Sequence, residues 1–167
     1  MRHDGGWGGF HSCTLNERGD EMADTKWCFD FTDKRILVTG GSRGIGWATA
    51  KAFLDVGARV AVNGRTGEST SAGIERLGGG EQLIAAPGDI ATVAGCEAAV
   101  GIAVDALGGL DVLVNSAGVA WRRLIDEGDE AFWDATIDVN LKGTYFCCRA
   151  AIRRSARAVA TSSTSPR

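Results

Sequence analysis

The sequence predicts an α/β fold in which helices cover both faces of a doubly wound parallel sheet. Short apolar runs alternate along the chain with longer segments of helical period. The run Ile-Leu-Val-Thr at 36–39 ends at a glycine, as is typical of a buried parallel strand. Since strand–helix–strand units cross over with one hand, their alternation favours a single parallel sheet between two helical layers.

The predicted elements follow one another without internal repeats. Strands are predicted at 36–39, 59–62, 82–86 and 112–115. Helices are predicted at 46–56, 66–77, 92–107 and from about 129 to beyond 148. Glycines mark the ends of the first three helices, because glycine readily adopts the left-handed conformation of a helix terminus.

Residues 31–152 form the predicted folded domain, and the segments on either side differ from it. Residues 1–30 are rich in glycine and charge, show no regular period and are predicted to be a disordered leader. Met22 is a second candidate start, in which case residues 1–21 are translated leader. Residues 153–167 are mainly Arg, Ala, Ser and Thr, and are predicted to be an aberrant, disordered tail.

Charge and composition argue against several classes of partner. The net charge of −3 gives no reason to expect nucleic acid, and no apolar run is long enough for a bilayer. The five cysteines have no CxxC spacing, which favours reduced thiols in a cytoplasmic protein. His3, His11 and Cys13 are conceivable metal ligands, but a disordered segment is the better interpretation, so no metal site is predicted.

A glycine turn carries the strongest functional signal. Gly40, Gly44 and Gly46 are spaced G-x-x-x-G-x-G, directly after a predicted strand and before a predicted helix. Glycines at these positions let the backbone approach a pyrophosphate, and the helix N-terminus presents free N–H groups to the phosphates. The segment is therefore predicted to bind a nicotinamide dinucleotide.

The end of the second strand favours NADP over NAD. NAD-binding folds place Asp or Glu there to hold the ribose 2′-hydroxyl, whereas this chain has Gly64 followed by Arg65. Arg43 lies inside the glycine turn. Two guanidinium groups near the ribose suit a 2′-phosphate. The alternative is that Arg65 is only a solvated loop charge.

Four short segments follow one another in the order known from one family. They are TGGSRGIG at 39–46, GDI at 88–90, NSAG at 115–118 and VNLKG at 139–143. The chain thus resembles the short-chain dehydrogenase/reductase family, close to its 3-oxoacyl-carrier-protein reductase type, which implies a Rossmann-type fold that is incomplete at the C-terminus. The predicted cofactor-binding residues are Gly40, Ser42, Arg43, Gly44, Ile45, Gly46, Arg65, Asp89, Ile90, Asn115, Ala117 and Gly118.

The resemblance also implies roles for single residues. It places Asp89 beside the adenine ring, where its carboxylate accepts from the amino group and the backbone of Ile90 donates. Asn115 either ties adjacent strand ends together or contacts the cofactor. Asn140 is the one catalytic residue implied: a poor helix former that kinks its helix and holds, through its carbonyl, a water that relays protons. The alternative for Asn140 is an exposed polar helix position.

The family's catalytic Tyr and Lys, spaced Tyr-x-x-x-Lys on one helix face, are missing. The one tyrosine, Tyr145, is followed four residues later by Arg149. We hypothesise a one-base loss just after Ile152: codons chosen for the tail, read two bases later, encode Val-Val-Asn-Val-Ser-Ser, which is similar to the family's fifth strand and serine segment. Because the codons are chosen, degeneracy inflates this match, and the nucleotide sequence must test it.

The chain is therefore interpreted as a truncated member of a homo-oligomeric family. The edge of its fourth strand and one face of its last helix are expected to be bare, with Cys147 and Cys148 partly exposed. The resemblance implies hydride transfer between NADP and a small carbonyl or alcohol substrate, catalytically impaired in this chain. The alternatives are a non-catalytic dinucleotide-binding or partner-binding fragment, and an unstable translation product without function.

Overall fold

The structure, a computed structural model, describes residues 29–162. The disordered leader predicted at 1–30 therefore falls almost entirely outside the described residues, as does the end of the predicted tail. The strands are β1 Arg35–Thr39, β2 Arg59–Val62, β3 Leu83–Ala85 and β4 Val112–Asn115. The helices are α1 Gly44–Asp55, α2 Gly67–Arg76, α3 Val93–Leu107, α4 Glu130–Ile137 and α5 Thr144–Ser162.

The four strands form one parallel sheet in the order β3-β2-β1-β4. The chain builds outward from β1 through β2 to β3, and then crosses to the other side of β1 to form β4. This reversal leaves a crevice between the carboxyl ends of β1 and β4, which is where open α/β sheets bind ligands. The glycine turn begins at that point, directly after β1.

Two apolar cores cover the two faces of the sheet, as the sequence predicts. Successive β1 side chains point to opposite faces, so Ile36 and Val38 pack with α1 and α2, whereas Leu37 packs with α3 and α5. All three side chains are fully buried. This two-sided burial explains why the strands read as continuous apolar runs.

The opposite end of the sheet is held by an ion pair between β1 and the residue before β4. Arg35 Nη2 and Nε lie 2.7 and 2.8 Å from the two carboxylate oxygens of Asp111. The Arg35 guanidinium holds the pKa of that carboxyl down at about 2. The Arg35 N–H also donates to Asp111 and the Asp111 N–H to the Arg35 carbonyl, so the pair fixes the register of β4.

The long C-terminal helix differs from its prediction in two ways. A π-helical turn, Asp138–Gly143, separates α4 from α5. Moreover, α5 continues to Ser162, whereas the sequence analysis predicts a disordered tail from residue 153. That prediction is wrong for the first ten residues of the tail, because Ala and Arg are strong helix formers even without an apolar period. Arg154 also pairs with Asp105 of α3 at 2.6 Å.

Among the described strands, β4 pairs only with β1 and leaves its other edge open. A groove of about 300 Å³ lies between this edge and the middle of α5. It is lined by Leu110, Asp111, Val112, Leu113, Ala151 and Ile152. Among the described residues nothing else covers this groove, and Cys147 is not part of its lining.

Candidate cofactor site

The glycine turn between β1 and α1 is shaped by close backbone contacts. Gly40 has φ +63°, and a Cβ there would lie 2.7 Å from the Ala117 Cα. A Cβ on Gly46 would overlap the Gly40 carbonyl. These two glycines let α1 and the segment after β4 close onto the turn.

Gly44 differs from the other two glycines because the space beside it is open. Its φ is +57°, and a Cβ built on it would meet nothing within 4 Å. Arg43, the N-cap residue of α1, makes no side-chain capping bond, and the first turn of the helix holds no acid. The neighbouring Ile45 side chain is 82% exposed. The free space beside Gly44 and the N-terminus of α1, which has no side-chain cap, together suit the binding of a pyrophosphate.

Two contacts that the sequence analysis missed hold the turn from the side of α2. The carbonyl of the buried Ser42 accepts a hydrogen bond from the Arg76 guanidinium. A Cβ on Gly73 would lie 2.7 Å from the Ser42 Cα, so α2 packs directly against the turn. Ser42 therefore shapes the turn through its backbone. Arg76 shows no sequence signal, because an arginine in the last turn of a helix is ordinary.

Thr39, also missed, joins the ends of β1 and β4. Its hydroxyl accepts from the N–H groups of Ser116 and Ala117, both at 3.1 Å, and donates to the Val114 carbonyl at 3.3 Å. The residue is 1% exposed. Asn115 was one candidate for this tie, but its side chain instead donates to Cys148 Sγ of α5 at 3.4 Å. Thr39 thus makes the tie between the strand ends, and the contact of Asn115 with cofactor stays a prediction.

Arg43 and Arg65 are exposed and free to meet a ligand. Neither guanidinium forms a hydrogen bond or ion pair with another residue in the described part of the chain. Arg65 lies between Gly64, which is buried, and Thr66, which caps α2 through a reciprocal bond with Ser69. The backbone around Arg65 is thus fixed while its side chain remains available. This arrangement suits a phosphate better than a structural ion pair.

The segment after β3 places a carboxylate at the surface and an apolar side chain in the core. Asp89 is exposed, and its Oδ1 accepts from the Ala91 N–H at 3.1 Å. Ile90 is 6% exposed and packs against Gly143 at the π-helical turn. The side chain of Ile90 therefore belongs to the core, and the contact of its backbone with a nucleotide stays a prediction.

Asn140 lies within the π-helical turn and faces the loop after β4. Its Oδ1 accepts from the Val119 N–H at 2.8 Å, and its Nδ2 donates to the Val119 carbonyl at 2.9 Å. The Asn140 carbonyl accepts from Thr144 Oγ1 at 3.0 Å, and its second lone pair can still accept from a water. Gly118 lies against this side chain, since a Cβ there would lie 3.3 Å from Oδ1.

Tyr145 and Arg149 both contact the ring of Phe146. Tyr145 is 63% exposed and contacts Phe146 edge to face. The Arg149 guanidinium lies over the Phe146 ring at 5.4 Å from its centre. Both side chains are therefore engaged with the aromatic ring between them.

The described cysteines are free thiols with different surroundings. Cys96 and Cys147 are fully buried between α3 and α5, and burial raises the pKa of both thiols. Cys148 is half-buried. The expectation that Cys147 is partly exposed is wrong, because α3 covers it. His3, His11 and Cys13 lie outside the described residues. Between residues 29 and 162, no helix combines the length and apolar character needed to cross a membrane.

The comparisons with known proteins agree with this geometry. The sequence profile of the family described as short chain dehydrogenase matches residues 34–165. The chain belongs to the short-chain dehydrogenase family. It is 36% identical over 126 residues to the 3-oxoacyl-[acyl-carrier-protein] reductase of Chlamydia pneumoniae, covering 75% of this chain and 51% of the relative. It is 40% identical over 126 residues to a glucose 1-dehydrogenase of Gluconobacter oxydans, covering 74% and 47%.

Solved structures of this family share the fold. A putative short-chain alcohol dehydrogenase from Sinorhizobium meliloti matches with a TM-score of 0.67 and 43% identity, over 74% of this chain and 50% of that one. A glucose/ribitol dehydrogenase from Brucella melitensis matches with a TM-score of 0.71 and 31% identity, over 75% and 53%. The chain thus spans about half the length of the relatives it matches, and it has the Rossmann-type sheet of this oxidoreductase family.

Proposed function

We propose that this chain carries the NADP-binding part of a short-chain dehydrogenase that exchanges hydride with a carbonyl or alcohol substrate. One observation carries the proposal: the open Gly44 backbone at the uncapped N-terminus of α1, with the unpartnered Arg43 guanidinium beside it. When bound, the reduced cofactor would donate a hydride to a carbonyl, and the oxidised cofactor would accept one from an alcohol. The chain's own residues bind and orient the cofactor.

Different residues bind different parts of the dinucleotide. The α1 N-terminus holds the pyrophosphate through its free N–H groups. Arg43 and Arg65 hold the 2′-phosphate, Asp89 accepts from the adenine amino group, and the backbone of Ile90 donates to the ring. Ala117 and Gly118 line the crevice beside β1, where Asn115 contacts the cofactor. Asn140 fixes the adjoining loop through Val119 and offers its carbonyl to a water of the proton relay.

We further propose that the chain as it stands binds NADP without efficient turnover. The exposed Tyr145 has Arg149 in place of Lys at the fourth following position, so no described group matches the family's proton donor. A frame shift just after Ile152 is the proposed origin. Sequencing the gene beyond that codon tests it: the alternative frame should encode Tyr-x-x-x-Lys, and stop codons there would contradict it.

A partner-binding fragment is the second candidate, favoured by the open edge of β4 and the adjoining groove. Unpaired strand edges accept a further strand, and this groove is lined mainly by aliphatic side chains.

The free, buried thiols of Cys96 and Cys147 support a reducing, cytoplasmic location.

One experiment separates these proposals. Purified chain is titrated with NADPH and NADH, following nicotinamide fluorescence, and then assayed for NADPH oxidation with aldehydes and ketones. We expect saturable binding that is tighter for NADPH, without turnover. Turnover would contradict the proposed impairment, whereas no binding of either dinucleotide would refute the cofactor site and leave partner binding as the function to pursue.

A further inference from the structure

Asn63, the residue after β2, is a buried polar group at the centre of the carboxyl edge of the sheet. It is 1% exposed, and nothing in the sequence motifs assigns it a role. A buried side-chain amide is costly unless its hydrogen bonds are made, so its partners indicate what it does.

The Asn63 amide contacts three segments at once. Its Oδ1 accepts from the Gly40 N–H in the glycine turn at 3.2 Å. Its Nδ2 lies 2.9 Å from the Ala86 carbonyl and 3.0 Å from the Gly88 carbonyl, both directly after β3, and 3.3 Å from the Gly64 carbonyl. One side chain therefore connects the segment proposed to hold the pyrophosphate with the segment proposed to hold the adenine.

This environment requires an amide specifically. It offers the Gly40 N–H as a donor and the carbonyls of Gly64, Ala86 and Gly88 as acceptors, and a side-chain amide can both accept and donate. Aspartate is the same size and could accept from Gly40, but its carboxylate would face the three carbonyls without a proton to donate. Alanine would leave all four backbone groups without this partner. Leucine is similar in volume but can neither accept nor donate.

We infer that Asn63 is a positioning residue for the dinucleotide, setting the glycine turn and the 86–88 segment at the separation that lets one molecule bind both. The inference rests on the proposed function, because that function assigns the glycine turn to the pyrophosphate and the segment after β3 to the adenine. Asn63 itself is covered and does not touch the ligand. Its effect is on binding geometry. Backbone bonds from Ala86 to Val62 and from Gly88 to Gly64 tie the 86–88 segment to the end of β2, but among the described hydrogen bonds it is the Asn63 side chain that reaches from this segment to the glycine turn.

The test compares Asn63→Asp and Asn63→Ala with a control that is equally buried in the preceding strand. Val60 is fully buried in β2 and lies three residues before Asn63, away from the carboxyl edge. Val60→Ala leaves a cavity and lowers stability without altering any contact of the turn. Each protein is titrated with NADPH at 10 °C, where it is folded, and melted in the absence of ligand.

We expect Asn63→Asp and Asn63→Ala to raise the NADPH dissociation constant at least tenfold, while Val60→Ala lowers the melting temperature and leaves the dissociation constant within twofold. Amide exchange gives a second readout. The Gly40 N–H should exchange faster in Asn63→Ala but keep its protection in Asn63→Asp, which retains the acceptor. If one Asn63 variant does not fold, the other carries the comparison.

The outcomes distinguish this inference from the proposed function. If the wild-type chain binds NADPH and the Asn63 variants bind it equally well, the inference is overturned and the proposed function stands. An unchanged Gly40 exchange rate in Asn63→Ala would also overturn it. If the wild-type chain does not bind NADPH, the proposed function fails, and the inference fails with it because no cofactor remains to be positioned.

Discussion

Comparing Gly44→Ala with Gly79→Ala distinguishes the loss of a cofactor contact from the effect of backbone strain. Both glycines are left-handed, with φ +57° and +64°, and a Cβ on either would meet no other atom of the protein within 4 Å. The two substitutions therefore impose the same conformational penalty. They differ in place, because Gly44 begins α1 whereas Gly79 lies in the turn between α2 and β3.

The expected magnitudes follow from these geometries. A left-handed alanine costs about 1–2 kcal/mol, so each variant should melt roughly 2–8 °C below wild type. At Gly44 the added methyl also stands where the pyrophosphate approaches the backbone. Losing one hydrogen bond to a charged phosphate costs about 1.5–3 kcal/mol, or about 10- to 150-fold in the NADPH dissociation constant.

The assay is thermal melting without ligand, followed by fluorescence titration with NADPH at a temperature where all three proteins are folded. Gly44→Ala should bind at least tenfold more weakly than wild type, and Gly79→Ala should bind as wild type does. Equal binding by Gly44→Ala and wild type would refute the assignment of this glycine to the pyrophosphate. Equal losses in both variants would show that strain alone weakens binding.

Three further predictions concern charge and thiol chemistry. Arg65→Ala should raise the NADPH dissociation constant about tenfold and leave the NADH dissociation constant unchanged. As a control, substituting Arg153, an exposed arginine on α5, with alanine should change neither constant. An equal loss of affinity for both dinucleotides in Arg65→Ala would contradict a contact with the 2′-phosphate. Because the pKa of Asp111 is lowered to about 2, its pairing stabilises the fold above about pH 4 and is lost as the pH falls towards 2. Allowing for the partial exposure of the pair, Asp111→Asn should therefore lower the free energy of unfolding in urea by about 1 kcal/mol at pH 7 and by almost nothing at pH 2. As a control, Asp55→Asn breaks an exposed helical pair and should lower it by under about 0.5 kcal/mol at either pH. Mass-spectrometric mapping of thiol labelling should show Cys148 modified in the folded protein and the two fully buried thiols modified only on unfolding; early labelling of the buried pair would show that α3 and α5 separate readily.

Local patterns in the sequence predict most of the fold. Each strand is a short apolar run that ends near glycine or a polar residue, and α3 begins and ends at ordinary caps, Thr92 and Gly108. The predicted strand bounds differ from the observed ones by one residue at the start of β1 and at both ends of β3. The glycine turn can be predicted equally well, because the strand before it and the helix after it adjoin it in the sequence.

The contacts that assemble the site are not local, and the sequence does not predict them. Asn63 and Thr39 act through backbone groups 23 to 78 positions away, which only the sheet register brings together. The partner of Asn115 depends on where α5 packs. The inward direction of Ile90 follows from contact with Gly143, on a segment 53 positions later. A polar residue that ends a wholly apolar buried strand is the one signal that could have found Thr39.

The helical course of α5 shows a different limit. The segment after Ile152 has no apolar period, which favours disorder when periodicity alone is considered. Its alanines and arginines nevertheless favour helix, and Arg154 anchors the start of this stretch to Asp105. Propensity and one long-range ion pair outweigh the missing apolar face.

The most direct test of the NADP site is an amide chemical-shift titration of the isotope-labelled chain with NADPH. The account predicts saturable shifts at residues 40–46, at 88–90 and at the Arg65 amide, with smaller shifts at the same positions for NADH. The residues that line the groove beside β4, at 110–113, 151 and 152, should show no shifts. Shifts confined to that groove, or none at the glycine turn, would contradict the claim that this chain holds a nicotinamide dinucleotide.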